Sequence, residues 1–412
     1  MDRLYECCCG LDVHKQTVVA CLIRPAHGVG QTKTIRTFGT MTQDLDALAE
    51  WLAEAGCTHV AMESTGVYWK PVYNRLEGRF TQIVANAQHI KAMPGRKTDV
   101  KDCEWIADLL QHGLLTPSFI PSQAQRELRD LTRTRTTLID ERSRVVLRLQ
   151  KVLEDANIKL AGVASDIMGV SARLMLEALV AGMTDPALVA DLAKGRLREK
   201  REALEQALAG RVTDHHRLMM SSHLTHIDFL DEQIEQLNQA IAERLRPFEA
   251  ELTRLETVPG IGRRTAEVLA AEIGLDMSHF PSAAHLASWA GMCPGNQESA
   301  GKRKTGKTRK GSKWLRRALV QAAQAAARKK GCYPATQFRR LIVRGGAKKA
   351  LVAVGHTLLV TVYYLLTRHE EYHDLSPVHL DAELQARETK RAIRQLEAKG
   401  YTVTRSSDPA AA

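Results

Sequence analysis

The stretch Cys7–Arg24, CCCGLDVHKQTVVACLIR, decides the fold. It holds two apolar runs, Cys7–Val13 and Thr17–Arg24, separated by His14, Lys15 and Gln16. Runs of this length, rich in Val, Ile, Leu and Cys, predict two neighbouring buried strands. Lys33–Phe38 reads as a third. Thr42–Ala55 reads as a helix with Thr42 as its N-cap. Thr58–Met62 is a short buried strand ending at Glu63, followed by a helix over Tyr68–Leu76. Phe80–Ala85 is another strand and Asp99–His112 another helix. Adjacent strands first, then strand–helix alternation, predict an α/β unit: a mixed sheet flanked by helices.

Downstream the pattern becomes all-α. Pro117 to Pro121 reads as a linker. Gln123–Leu160 is a long basic amphipathic helix with Leu128, Leu131, Leu138, Val145 and Leu149 along one stripe. Asp214–Leu255 is a second long helix, in which Ile227, Leu230, Ile234, Leu237 and Ile241 keep a heptad rhythm. With a helical insert between Val163 and Gly210, the two suggest an antiparallel coiled coil. It serves either as a dimerisation or nucleic-acid arm or as an ordinary bundle core. Val258–Gly274, VPGIGRRTAEVLAAEIG, carries the helix–hairpin–helix signature. There Gly260 and Gly262 would let backbone N–H groups approach a phosphate, unless the turn is a plain helix cap. Ala350–Leu366 is the one membrane-like run; it is short, contains Gly355 and His356, and reads as a buried core helix. The tail from Glu370 is charged and ends in SSDPAAA, read as a peripheral helix and a disordered end.

The 412 residues suffice for two or three domains, and their composition is that of a soluble globular protein. Eight cysteines without a C-x-x-C pair argue against a structural zinc site and for reduced thiols. The opening MDRLYECCCGLD has no leader pattern, so the expected compartment is the cytoplasm, near the nucleoid, with no membrane partner. Charge is strongly segregated. From Ser299 to His369 there are 18 Lys and Arg and no Asp or Glu, against a net +11 for the whole chain. Such a tract fits a polyanion, most simply a phosphate backbone. Its candidate contacts are Lys302, Arg303, Lys304, Lys307, Arg309, Lys310, Lys313 and Arg316.

Four acids in the first unit fall at element ends: Asp12 and Glu63 after strands, Asp99 and Asp102 on one face of a helix start. Converged, they would repel one another unless a hard cation, Mg²⁺ or Mn²⁺, neutralised them. Singly, each is an ordinary solvated or capping acid. Gly301 to Thr308, GKRKTGKT, matches a phosphate-loop expression. No buried strand precedes it and the next helix begins only near Ser312, so it reads as a flexible Gly/Lys loop. Ser299 stands at the head of that loop, followed by Ala300 and Gly301, where basic neighbours would favour attack on a phosphodiester.

Together GLDVHK, AMESTGVYW, GRKTDVKD, VPGIG and PGNQESAGKRKTGKTRKGSKWLRRAL resemble the DEDD transposases of insertion sequences that move as circular intermediates, the bridge-RNA-guided serine recombinases. The resemblance implies an RNase H-like, Holliday-junction-resolvase-like domain over 1–120 and a coiled-coil region over 121–255. A serine domain with the helix–hairpin–helix follows over 256–369, then a charged tail over 370–412. It implies that Asp12, Glu63, Asp99 and Asp102 bind Mg²⁺ and that Ser299 forms a phosphoserine link to DNA. It also implies a structured guide RNA and a dimer assembling to a tetramer. The competing readings are a metal-only nuclease or transposase, with Ser299 a backbone contact, and a non-enzymatic nucleic-acid scaffold.

Overall fold

Two apolar runs joined by three residues can only pair antiparallel, and they do. β1 (Cys8–Val13) and β2 (Thr17–Pro25) form a hairpin closed by Val13 opposite Val18. β3 (Gln31–Gly39) pairs antiparallel with β2. After α1 (Thr42–Glu54), β4 (His59–Glu63) returns parallel to β1. After α2 (Trp69–Leu76), β5 (Thr81–Ala85) runs parallel to β4. The sheet order is β3-β2-β1-β4-β5, and α3 (Asp102–Gln111) completes the unit. This computed structural model describes residues 3–26, 30–64, 66–86, 90, 102–295, 297–299, 302–305, 307–374, 389–398, 400, 401 and 403. The chain divides into two units, Met1–Pro121 and Ser122–Ala412.

Strand periodicity assigns the two faces of the sheet. Cys9, Leu11, Val60 and Met62 pack with Leu45, Leu48 and Leu52 of α1 and Val72 and Leu76 of α2. Cys8 and Ala61 pack with Cys103, Ile106, Ala107 and Leu110 of α3. The mixed α/β sheet expected from the alternation is therefore present, covered on both faces. Helix α1 begins one residue early. Met41, not Thr42, is the N-cap, because Asp44 Oδ2 accepts from Met41 N at 3.2 Å.

Among its described residues the second unit is helical apart from one hairpin. α4 (Gln123–Asp155) starts at Ser122, whose hydroxyl accepts from Gln125 N. The insert follows as α5 (Leu160–Val163), α6 (Val170–Val180), α7 (Pro186–Ala190) and α8 (Arg201–Leu208). α9 (Asp214–Leu245) then runs back along α4. Asp155 meets His216, Arg142 meets Asp231, Arg135 meets Asn238 and Glu127 meets Arg244, so the pair is antiparallel. The heptad stripe closes inside this chain. Ile227, Leu230, Ile234 and Ile241 are all buried, the first two in a core with Val145 and Leu149 of α4.

The single helix expected over Asp214–Leu255 is interrupted. α9 stops at Leu245, Arg246–Phe248 make a 3₁₀ turn, and α10 (Glu249–Glu256) starts afresh. Pro247 is the reason: it has no N–H to donate and its ring crowds the preceding turn. α11 (Arg263–Ile273), α12 (Ala283–Trp289), the hairpin β6 (Gln297–Ser299) and β7 (Lys302–Thr305), α13 (Lys313–Arg328), α14 (Tyr333–Gly345) and α15 (Ala347–Arg368) follow. α15 is long and apolar enough to cross a membrane, but Val354, Leu358, Leu359 and Val362 are buried in the core around α11 and α13.

The unit therefore has two cores along one helix pair. The C-terminal half of α4 and most of α9 close on the insert; Leu128, Ile241 and Leu245 belong to the core of α10 to α15. Ile234→Asp would bury an unpaired carboxylate where 6% of the residue is exposed. We expect it to lower stability by about 2–5 kcal/mol, read as an earlier urea midpoint of the helical signal.

Candidate active site

The last paired rung between β1 and β4 is Leu11 opposite Met62. One residue further come Asp12 and Glu63. In a parallel pair, facing residues leave on the same side, and this parity is that of Gly10 and Ala61, the side covered by α3. Gly10 explains how close the helix comes. A Cβ there would lie 2.4 Å from both Ala107 N and Cys103 O. The absent side chain lets the first turn of α3, headed by Asp102, settle against β1 beside Asp12.

Electrostatics report the convergence. Partial burial pushes the Asp12 carboxyl up, His14 pulls it back, and the charges of Asp102 and Glu63 push it up again. His14 Nε2 lies 3.0 Å from Asp12 Oδ2. The Asp12 carboxylate on β1 thus feels the charges of Glu63 on β4 and Asp102 on α3; Asp99 lies outside the described residues. The donors are all hard oxygens and their repulsion is what a divalent cation relieves, so the chemistry fits Mg²⁺ or Mn²⁺. Among the described residues no group of three or more His, Cys, Asp or Glu side chains lies close enough together to hold a metal ion. The thiols behind it are not alternatives, since burial raises Cys8 and Cys21 to about 12, far from a reactive thiolate. Gly10→Ala should force α3 away from the sheet. We expect a loss of about 3 kcal/mol or more, measured by thermal melting, with loss of any divalent-cation-dependent shift in the melting temperature.

In the second unit, α12 and α13 are joined by a segment whose base is tightly closed. Gly291, at φ +67°, packs on Gly311; a Cβ on Gly291 would lie 2.7 Å from Gly311 N. Gly295 N donates to Lys307 O at 2.8 Å, and Pro294 bridges Thr308. From that base rises the hairpin, with Ser299 opposite Lys302 as its last rung and a bulge between Gln297 and Glu298. Ser299 therefore stands at the hairpin tip, inside the acid-free basic tract. The phosphate-loop match is refuted by the same geometry. Lys302, Arg303, Lys304 and Thr305 form a strand, and among the described residues of this segment no helix starts before Lys313.

The candidate phosphate contacts divide. Arg309, Lys310 and Lys313 are exposed, and Lys313 lies over the Trp314 ring. Arg316 is half-buried and donates to Thr308 Oγ1, so it braces the base of the hairpin. Gly260 has φ +89°, and a Cβ on it would meet Ala322 O at 2.2 Å. It is a glycine because it packs against α13, a reason the phosphate-binding expectation did not include. Gly262 is exposed at the start of α11. Sequence reasoning missed Gly10, although a glycine inside a strand and two residues before an acid is the signature of close backbone approach.

Comparison with known proteins bears on both centres. One family model, described as a transposase of the DEDD type found in IS110, matches residues 9–158, the span holding Asp12, Glu63, Asp99 and Asp102. A second, described as the transposase IS116/IS110/IS902 family, matches residues 252–338, the span holding Ser299 and the first part of its basic tract. The chain belongs to the IS110 family of transposases. Among relatives of this IS110-family chain, the transposase for insertion sequence element IS1111A of Coxiella burnetii is 23% identical over 371 residues, 88% of this chain and 90% of that protein. The pilin gene-inverting protein of Moraxella bovis is 33% identical over 181 residues, 43% of this chain. That match spans about half of the relative's own length, 53%. The transposase for IS1328 of Yersinia enterocolitica is 36% identical over 109 residues, 26% of this chain and 32% of that protein.

Proposed function

We propose that this IS110-family chain is a DNA recombinase of insertion-sequence transposition that works through a covalent serine intermediate. The observation that carries the reading is Ser299 at the tip of a hairpin, in a tract of 18 cations without one acid. A hydroxyl presented there meets a phosphodiester whose charge the tract offsets. The Ser299 oxygen bonds to phosphorus as the bond to one deoxyribose oxygen breaks. The leaving oxygen gains a proton and the serine loses one. Attack by a deoxyribose hydroxyl of another strand reverses the step, so bond energy is conserved through exchange. The name of the Moraxella relative, a gene-inverting protein, suits such conservative rearrangement.

Asp12, Glu63 and Asp102, with Asp99, would hold Mg²⁺ or Mn²⁺. A bound cation of this kind orients a scissile phosphate and offsets its charge. The chain's own contribution is to bring Asp12, Glu63 and Asp102 from three elements to the same side of the sheet, with His14 bonded to Asp12. We further propose that a structured non-coding RNA selects target and donor DNA by pairing, that the working form is a homo-oligomer, a dimer assembling to a tetramer, and that it acts in the cytoplasm on the nucleoid. The acid-free tract of 18 cations is chemistry that a second polyanion would also suit.

The deciding experiment incubates the protein with end-labelled element-junction DNA, Mg²⁺ and the flanking non-coding RNA, then denatures it in detergent. A phosphoserine ester survives that treatment, so label should migrate with the protein. Cleavage without attached label would favour the metal-only reading, in which water or a 3′ hydroxyl attacks.

A further inference from the structure

Glu272 is a charged residue buried to 1% exposure, in the last turn of α11. Its carboxylate accepts from Arg133 Nε at 2.7 Å and Nη2 at 2.9 Å, and from Ser312 Oγ at 2.8 Å. Ser312 Oγ also accepts from Leu315 N at 3.3 Å, as the N-cap of α13. One hydroxyl thus caps a helix and is tied to a buried carboxylate. α4 holds the same turn of α11 by its carbonyls. Arg129 Nε donates to Ala271 O at 2.9 Å, a second Arg129 N–H donates to Glu272 O, and Gln125 Nε2 donates to Ala271 O at 3.1 Å.

Ser312 is where the hairpin segment ends. The Gly291–Gly311 contact closes the base one residue before it, and Arg316, one turn into α13, braces Thr308. The base of the hairpin is thus packed directly beside Ser312. An arginine–carboxylate pair with its acid buried adds little net stability over an apolar replacement, whereas its paired bonds impose a direction and a distance.

We propose that Glu272 is a positioning residue. It fixes the foot of the Ser299 hairpin to α4 through Ser312 and Arg133, and so sets where the Ser299 hydroxyl is presented to DNA. The inference rests on the reading of Ser299 as nucleophile. A displacement of about 1 Å in an attacking group costs as much as about 100-fold in rate while leaving remote binding contacts in place.

The test uses full-length protein and three variants, Glu272→Gln, Ser312→Ala and Ser312→Thr. Two quantities are read: the single-turnover rate of protein–DNA adduct formation at saturating DNA, and the midpoint of DNA binding. For Glu272→Gln and Ser312→Ala the rate should fall at least about tenfold with the binding midpoint within about twofold. Ser312→Thr keeps both the cap and the hydroxyl donor, and should restore the wild-type rate. Should Glu272→Gln fail to fold, the Ser312 pair decides. Wild-type rates in Glu272→Gln and Ser312→Ala, or a fall that merely tracks loss of folded protein and is not rescued by threonine, would overturn the inference while the Ser299 reading stood. A wild-type protein that forms no adduct overturns both.

Discussion

Ser299→Ala is expected to form no detergent-stable protein–DNA adduct and to lose strand exchange by several orders of magnitude. The substitution removes one oxygen from the end of β6 and leaves the hairpin register, set by backbone pairs, in place. Binding should persist, because it rests on the cations of the tract, and its salt dependence should be unchanged. The measurements are a denaturing gel for the adduct, a junction-product assay for exchange and a filter-binding titration across salt. A variant that still cuts and joins DNA would transfer the chemistry to the carboxylate centre alone.

Asp12→Asn should be as damaging to activity and have the opposite effect on stability. In the folded protein the Asp12 carboxyl is raised, first by burial and then by Asp102 and Glu63. A carboxyl raised on folding is harder to ionise in the native state, so at neutral pH its charge works against the fold. That penalty disappears as pH falls through the raised folded value toward the unfolded one. The neutral amide should therefore melt no lower than the parent at neutral pH without added metal, and the difference should shrink on acidification. Strand exchange should be abolished, since the proposed cation site would lose one of its anionic donors. Full activity in this variant would remove Asp12 from the site.

The sheet could be read before the structure because its signal is local. Continuous apolar runs give β1 and β2, and period two alone aims Asp12 and Glu63 at one face. The placement of Asp102 against Asp12 depends on a non-local fact, the backbone-to-backbone approach at Gly10, which the i, i+3 pattern of Asp99 and Asp102 does not contain. The second unit shows the same division. Two long helices were evident from their stripes, but whether the stripe meets its own chain or another depends on how far the insert brings the chain back. Pro247 was visible and outweighed by the rhythm around it. Ser299 is indistinguishable from any loop serine by its neighbours, and family resemblance supplied its role. Glu272 is inconspicuous inside an alanine-rich helix, although an acid flanked by Ala270, Ala271 and Ile273 must be either exposed or paired.

The two cores strung along α4 and α9 make the second unit a modular object. Val145, Leu149 and Leu153 answer to the insert, while Leu128, Ile241 and Leu245 answer to the helices that carry the hairpin. Substitutions in one core are separated from the other by a polar waist in which Arg135 bonds Asn238 and Glu267. Their energetic effects should then add rather than compound. A lineage can remodel the insert, altering what that end of the rod touches, without retuning the serine hairpin at the other end. The waist separates what can drift from what must hold still.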